Sequence, residues 1–568
     1  MKRLFKITLL AFVISINSVS KAQYFAWAKQ IGGFFPDAVT SFAIAANGDI
    51  YLTGEFRGTV DFDPGPGINN LTAYGNTDMF ILRLDASGNF IWVKQIGGLA
   101  NEKPQAIALD LSSNVYTTGY IWDTTDFDPG PGIYNLPGGG FISKLDSTGT
   151  FVWAMQFGLP LSTEGVSIVA DEFNTVYTTG IFNGTIDLDP GPGVVNLTSA
   201  GSDDVFVSKI DAAGNFVWAK QFSGITDEIG TAIAIDHVGN VYTSGYFRSD
   251  STDFDPGPGV YYLNSLTSDY DIFISKLDSS GNFVWAKSMG GKYNDVCYSI
   301  ALDNNGAVYT SGYFLDTADF DPGIGVYNLI SGGFSDVFIT KLDSNGNFIW
   351  AKQMSGPGAA ATNCLIIDSA ANIYTTGYMA GGFTDFDPGP GNFNLNPVGN
   401  SDAFISKLDS SGNFLWAGAL SGNATSEIFT EQIAMGLNSE IYIAGGFRYI
   451  IDFDPGAGIF NMTPLGNYPT DGFILKLDAM TVSGENVEMR NLISIFPNPA
   501  SDDVTITFHT LFRGSVEIKS ILGKTIVYEE VFGLSDMRMD IKDISDGIYF
   551  VTVSDGAFSY TKKLIVQN

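Results

Sequence analysis

A unit of about 65 residues recurs seven times, and no other feature constrains the fold as strongly. Tryptophan marks it at Trp27, Trp92, Trp153, Trp218, Trp285, Trp350 and Trp416. An Asp-Phe-Asp-Pro-Gly block marks it independently. Its first aspartate stands at Asp61, Asp126, Asp187, Asp253, Asp319, Asp385 and Asp452, with Leu188 replacing phenylalanine in the third copy. A repeat this regular is one supersecondary unit that must stack on its copies or be arranged radially with them. With 45% apolar and only 16% charged residues, the 568-residue chain has ample material for a core.

Each unit reads as two hairpins. The outer one is typified by Lys276-Leu277-Asp278-Ser279-Ser280-Gly281-Asn282-Phe283-Val284-Trp285, and its Asp-x-x-Gly signature recurs at Asp85, Asp146, Asp211, Asp343 and Asp409. The aspartate carboxylate accepts backbone N–H groups at the start of a type I turn, and the glycine takes the left-handed conformation that closes it. The inner hairpin, as in Ala301-Leu302-Asp303-Asn304-Asn305-Gly306-Ala307-Val308, tolerates Asn174 and Ala371 at the glycine position. Four short strands per unit, rich in β-branched and aromatic residues, describe a propeller blade. The expected fold is all-β, a seven-bladed β-propeller over 23–478 followed by a small β-sandwich. Trp27 precedes the first inner hairpin, while the last unit ends at Lys476-Leu477-Asp478 with no tryptophan after it. The strand around Phe25 to Gln30 is therefore expected to close the last blade and remove two sheet edges.

At the N-terminus, Lys2, Arg3 and Lys6 precede an apolar run from Ile7 to Ile16 and a Ser20-Lys21-Ala22 cleavage pattern, which predicts a signal peptide over 1–22. Ten apolar residues fall short of the ~20 that span a bilayer, so no transmembrane span is expected. A net charge of −32 would repel a nucleic-acid backbone or an anionic lipid surface. Two histidines leave little room for a metal site or a Ser-His-Asp relay. His237, in Asp236-His237-Val238-Gly239, reads as an exposed turn residue, and His509 reads no less blandly. Cys297 and Cys364 read as one bridge or as two buried thiols.

After a linker at 479–490 the pattern changes to short alternating strands. The segment 491–568 resembles the type A C-terminal sorting domain of the type IX secretion system. The resemblance rests on Pro497-Asn498-Pro499, Ile521-Leu522-Gly523-Lys524, the stretch from Ile544 to Tyr549 and the closing Lys562-Lys563-Leu564-Ile565-Val566. It implies recognition by that export machinery and a secreted or outer-membrane cell-surface location. The repeat region resembles the bacterial SBBP-type β-propeller repeat family through stretches such as Gly239-Asn240-Val241-Tyr242-Thr243-Ser244-Gly245.

The Asp-Phe-Asp-Pro-Gly blocks are the one recurring constellation with ligand potential. Alternate residues of an extended segment share a face, so each pair of aspartates converges: Asp61 with Asp63, Asp126 with Asp128, Asp187 with Asp189, Asp253 with Asp255, Asp319 with Asp321, Asp385 with Asp387 and Asp452 with Asp454. These carboxylates read either as caps for backbone N–H groups, as one Ca²⁺ site per blade, or as partner contacts. Calcium needs about six or more oxygens, and the third alternating position is glycine. The tryptophans read as wedges between blades rather than sugar platforms. No nucleophile motif or phosphate loop stands out, and Trp122 is an unmatched aromatic. The functional expectation is a non-enzymatic binding or adhesion module for a glycan or a surface protein. The alternatives are a polysaccharide-degrading hydrolase or lyase, for which an unmatched burst of acidic or basic residues in one or two blades would speak, and a calcium-stabilised structural surface protein.

Overall fold

The computed structural model describes residues 23–479, apart from 190, 266, 268 and 467–469, and residues 493–567, apart from 521–523 and 555–558. The expected signal peptide, the linker from 480 onward and Ile521-Leu522-Gly523 lie outside the described residues. The described residues are all β, with no helix. The chain divides into two compact units, Met1–Met480 and Thr481–Asn568.

In the first of these, each repeat forms a four-stranded antiparallel sheet in which sequence neighbours pair. The first repeat uses Ala38–Ile44, Ile50–Phe56, Asp78–Leu84 and Phe90–Gly98. The seventh uses Glu427–Met435, Ile441–Arg448 and Asp471–Ala479, and its fourth position is taken by Gln23–Gly33 from the start of the chain. That strand pairs with Asp471–Ala479 from Gln23↔Ala479 to Ile31↔Gly472.

The second strand is buried on both faces, which is why it reads as a near-continuous run such as Val241-Tyr242-Thr243-Ser244-Gly245. Its tyrosine is covered by a cation from the third strand, Lys276 Nζ standing 4.8 Å above Tyr242, and meets the fourth-strand tryptophan edge-on, Trp285 at 6.1 Å. The tryptophans then reach the next sheet. A Cβ on Gly281 would lie 3.1 Å from the Trp218 ring, and Trp218 Nε1 donates to the Ser279 carbonyl. The turn glycine and the tryptophan are thus two halves of one contact between neighbouring repeats. The first and last sheets pack together in the same way as the others, Ile31, Val39 and Phe42 sharing a core with Tyr442, Ala444 and Ile474.

The inner turns tolerate more than the sequence reading allowed. Ser113, Asn174, Ala371 and Ser439 all take a left-handed φ, between 58° and 67°, where other repeats place glycine. Both cysteines are free thiols.

In the C-terminal unit, strands Asp503–Ser520 and Thr525–Asp540 pair along most of their length through a register shift between Thr507 and Phe512. Both halves of the resulting five-stranded sheet contribute to one core around Val504, Ile518, Val551 and Leu564. Asn498 donates to the Lys563 carbonyl and accepts the Ile565 N–H, so the Pro497-Asn498-Pro499 stretch is tied to the closing Lys562–Val566 strand.

Candidate functional site

The Asp-Phe-Asp-Pro-Gly blocks sit at the tip of a small hairpin between the second and third strands, for example Thr59–Asp61 with Asn70–Thr72. This hairpin also pairs with the end of the preceding repeat's fourth strand, Gly32 opposite Asp61 and Gly98 opposite Thr125. Such a latch occurs at six of the seven junctions among the described residues. Phe62, Phe254, Phe320 and their counterparts point inward and are fully buried.

The aspartates face the loop's own backbone. Asp253 Oδ1 accepts the N–H groups of Asp255 at 3.0 Å and Tyr261 at 2.8 Å, and Asp255 Oδ1 accepts Gly257 N–H at 2.8 Å. Asp61 with Asp63, Asp126 with Asp128, Asp187 with Asp189, Asp319 with Asp321, Asp385 with Asp387 and Asp452 with Asp454 repeat this pattern. A Cβ on Gly259 would stand 2.3 Å from Asp255 Oδ2, so the second glycine is needed for the loop to close on the carboxylate. That explains why Ile324 and Ala457 replace the second proline while Gly325 and Gly458 remain. Among the described residues no three His, Cys, Asp or Glu side chains gather into a metal-binding group.

The outer turn carboxylates are spent in the same way. The Asn215 amide and the N–H groups of Asn215 and Ala213 hold Asp211 below the usual carboxylate range. His237 is exposed in its turn.

At the opposite end of the sheets, where the second-to-third and fourth-to-first connections lie, the Asp-Phe-Asp-Pro-Gly hairpins repeat but the first-strand bulges do not. Every first strand carries a β-bulge at one position, leaving an extra residue that is Thr40, Gln105, Val166, Thr231, Tyr298, Asn363 or Glu431 in turn. A bulge re-aims a side chain, and these seven share no chemistry. The second and third repeats contribute Lys103, Gln105, Tyr120 and Glu164. The Gln105 amide donates to Glu164 Oε1. Burial raises the Glu164 carboxyl, opposed by that amide and by the Lys103 ammonium. Glu431 is solvent-exposed, yet its surroundings raise its carboxyl too, again opposed by Lys103. The fourth to sixth repeats contribute tyrosines instead: burial raises the Tyr298 phenol, and Tyr313, Tyr246 and Tyr378 lie close enough to raise it further.

The junction of the second and third repeats is the most irregular. Gly139, at φ 140°, stands where most repeats begin the third strand with aspartate, and Thr163 stands where four others place an acid. Leu161 adopts φ 63°, a conformation costly for a bulky residue. This is also the junction without a latch. A cavity of about 240 Å³ opens here, lined by Tyr120, Trp122, Leu161, Ser162, Thr163, Glu164, Ile181 and Asp203. Trp122 is 45% exposed. A wider cleft of about 620 Å³ between the fifth and sixth repeats includes Lys352, Gln353, Asp385 and Asp387. Those residue types recur at other junctions, as in Lys94, Gln95, Asp126 and Asp128, so that cleft is a feature of the repeat. Of the irregular site, sequence reasoning singled out Trp122 alone.

Residues 494–567 match the secretion system C-terminal sorting domain, and residues 91–128 match the beta-propeller repeat. The chain therefore combines repeats of the β-propeller family with a type IX sorting domain, which makes it a secreted or cell-surface protein. No described helix is long and apolar enough to cross a membrane. An uncharacterized WD repeat-containing protein of Acanthamoeba polyphaga mimivirus is 24% identical over 504 residues, 74% of this chain and 36% of that protein. An endo-acting ulvan lyase of Formosa agariphila is 34% identical over 94 residues, 16% of this chain and 18% of the lyase. This chain thus spans little more than a third of the first relative and under a fifth of the second. Among solved structures, Sqt1 from Chaetomium thermophilum is 12% identical with a TM-score of 0.36, covering 80% of this chain and 99% of that one.

Proposed function

We propose that the repeats form a closed seven-bladed propeller, with Gln23–Gly33 completing the last blade, and that it acts at the cell surface as a non-enzymatic binding or adhesion module. Its ligand seats at the irregular junction of the second and third blades. The observation that carries this reading is coincidence in space: the junction that loses its latch and its strand-opening acids also holds a cavity with an exposed indole, a phenol and two carboxylates. A saccharide suits that lining. Its C–H face stacks on Trp122, and its hydroxyls donate to Glu164 and Asp203. The strongly acidic chain disfavours sulfated or uronic chains and favours a neutral or amino sugar. A glycan array with the full mature chain tests the reading, Trp122→Ala serving as control. Selective capture of neutral or amino sugars, lost in Trp122→Ala, supports it, whereas no capture or capture indifferent to Trp122 removes it.

An enzymatic reading draws on Glu164, whose raised carboxyl suits a general acid, and on the partial likeness to a polysaccharide lyase. Release of oligosaccharides from a captured glycan, abolished in Glu164→Gln, would favour it over simple binding.

A further inference from the structure

Buried acids outside that site gather at the seams between sheets. At four junctions the acid that opens the third strand of one repeat meets an acid that opens or immediately precedes the first strand of the next: Asp204 with Glu228, Asp78 with Glu102, Asp271 with Asp295, and Asp471 with Asp37. All eight are at most 3% exposed. We propose that the seam between the third and fourth repeats is closed by one proton shared between Asp204 and Glu228, and that the seam weakens when that proton is lost.

The hydrogen bonds leave one gap, and it lies between the two carboxyl groups. Asp204 Oδ2 accepts Ala200 N–H at 3.0 Å, while Glu228 Oε1 accepts the hydroxyls of Ser249 at 2.5 Å and Thr252 at 3.0 Å. Asp204 Oδ1 and Glu228 Oε2 are buried without a well-formed hydrogen bond; the Gly224 N–H approaches both carboxyls, a single donor for two acids, and the two carboxyls are within hydrogen-bond reach of each other. Two bare carboxylate oxygens cannot face each other in a dry interior unless a proton or a cation joins them. A divalent cation needs about six oxygens, and only two unspent ones meet here without a third acid. The charged residues of the surrounding segments supply no counterion. Asp203, Asp227, Asp250 and Asp253 are acidic, and Arg248 is paired with Asp227. Within the sheet, Lys209 lies over Tyr177, and Lys220 packs against Gly281 of the next repeat.

Burial, first of all, pushes the Asp204 carboxyl up to about 8 and raises Glu228; Asp295 follows at about 8, Glu102 and Asp37 at about 7 and Asp471 at about 6. A carboxyl whose folded pKa exceeds its unfolded value contributes fully below the unfolded value, about 4, and loses that contribution as pH rises through the folded one. The seams are therefore tightest at about pH 4 and below, loosen as pH rises, and have lost that contribution once pH has passed the highest folded value, about 8.

The test compares full-length mature protein with Glu228→Gln, whose amide donates permanently to Asp204 Oδ1, and with Asp204→Asn. Melting temperature is followed from about pH 4 to about pH 8, and the infrared band of protonated carboxyl groups is recorded at neutral pH. Wild type is expected to melt progressively lower as pH rises and to show the band. Glu228→Gln is expected to retain the fold, weaken the band and shallow the slope, and adding Glu102→Gln and Asp295→Asn is expected to flatten it further. Should Glu228→Gln fail to fold, Asp204→Asn gives the same readouts. An unchanged band and a parallel slope would overturn the proposal. So would a calcium-dependent rise in melting temperature at fixed pH that Glu228→Gln removes, which would put a cation in the gap.

Discussion

The two ends of the repeat sheets obey different rules. At the end with the first-to-second and third-to-fourth turns, Asp85, Asp146, Asp211, Asp278, Asp343 and Asp409 each hold the same N–H groups, two and four residues onward. At the other end the first-strand bulge has the same geometry in every repeat but presents threonine, glutamine, valine, tyrosine, asparagine or glutamate. At that end the Asp-Phe-Asp-Pro-Gly loops still repeat their chemistry, while the bulges repeat only their backbone. Substitution at a repeated position or a buried seam is therefore expected to be read out in stability, and substitution at the irregular junction of the second and third repeats in binding.

The largest effect on the regular framework is expected from removing Gln23–Gly33, which exposes the edge of strand Asp471–Ala479 and strips the core that Ile31 shares with Val39 and Phe42. We expect a loss of about 5 kcal/mol or more with aggregation, against little change when residues 481–490 are removed. Equal melting of the two truncations would break the comparison at its base. Next comes Phe320→Ala. Its ring is fully buried, 5.0 Å from Phe338 and 5.4 Å from Phe314, and truncation is expected to cost about 3–5 kcal/mol in denaturant unfolding.

Smaller effects sharpen the contrast. Asp253→Asn with Asp255→Asn keeps an acceptor for each backbone N–H and is expected to cost less than about 1 kcal/mol, with melting indifferent to chelator. A chelator-induced drop restored by Ca²⁺ would show that these blocks hold calcium. Ala371→Gly relieves a left-handed alanine at φ 58° and is expected to add about 0.5–1 kcal/mol. A loss of stability there would mean that the Ala371 methyl packs usefully.

What could be read from the residues alone is what seven copies amplify. The turn aspartates, the buried phenylalanines and the tryptophan contacts between repeats each leave a periodic mark, and the sorting domain carries local motifs such as Pro497-Asn498-Pro499. The bulges left none, because Gln105, Tyr298 and Glu431 are alike in position and unlike in chemistry. The acid pairs were hidden for another reason. Asp204 and Glu228 belong to different repeats, and Asp37 meets Asp471 from the far end of the repeat region, so only the assembled seam shows that two carboxyls share one space. Glu164 was likewise unremarkable until the fold set it beside Tyr120, Lys103 and Trp122.

The most direct test of an irregular, ligand-bearing junction set in a repeated structural framework is one titration. Binding of the sugar selected on the array is measured by calorimetry for wild type, Trp122→Ala and the Asp253→Asn, Asp255→Asn double variant, with melting curves for all three. The predicted result is at least about a tenfold loss of affinity in Trp122→Ala at unchanged melting temperature, with near-wild-type affinity in the double variant. Undiminished binding by Trp122→Ala, or a loss confined to the aspartate variant, would contradict it.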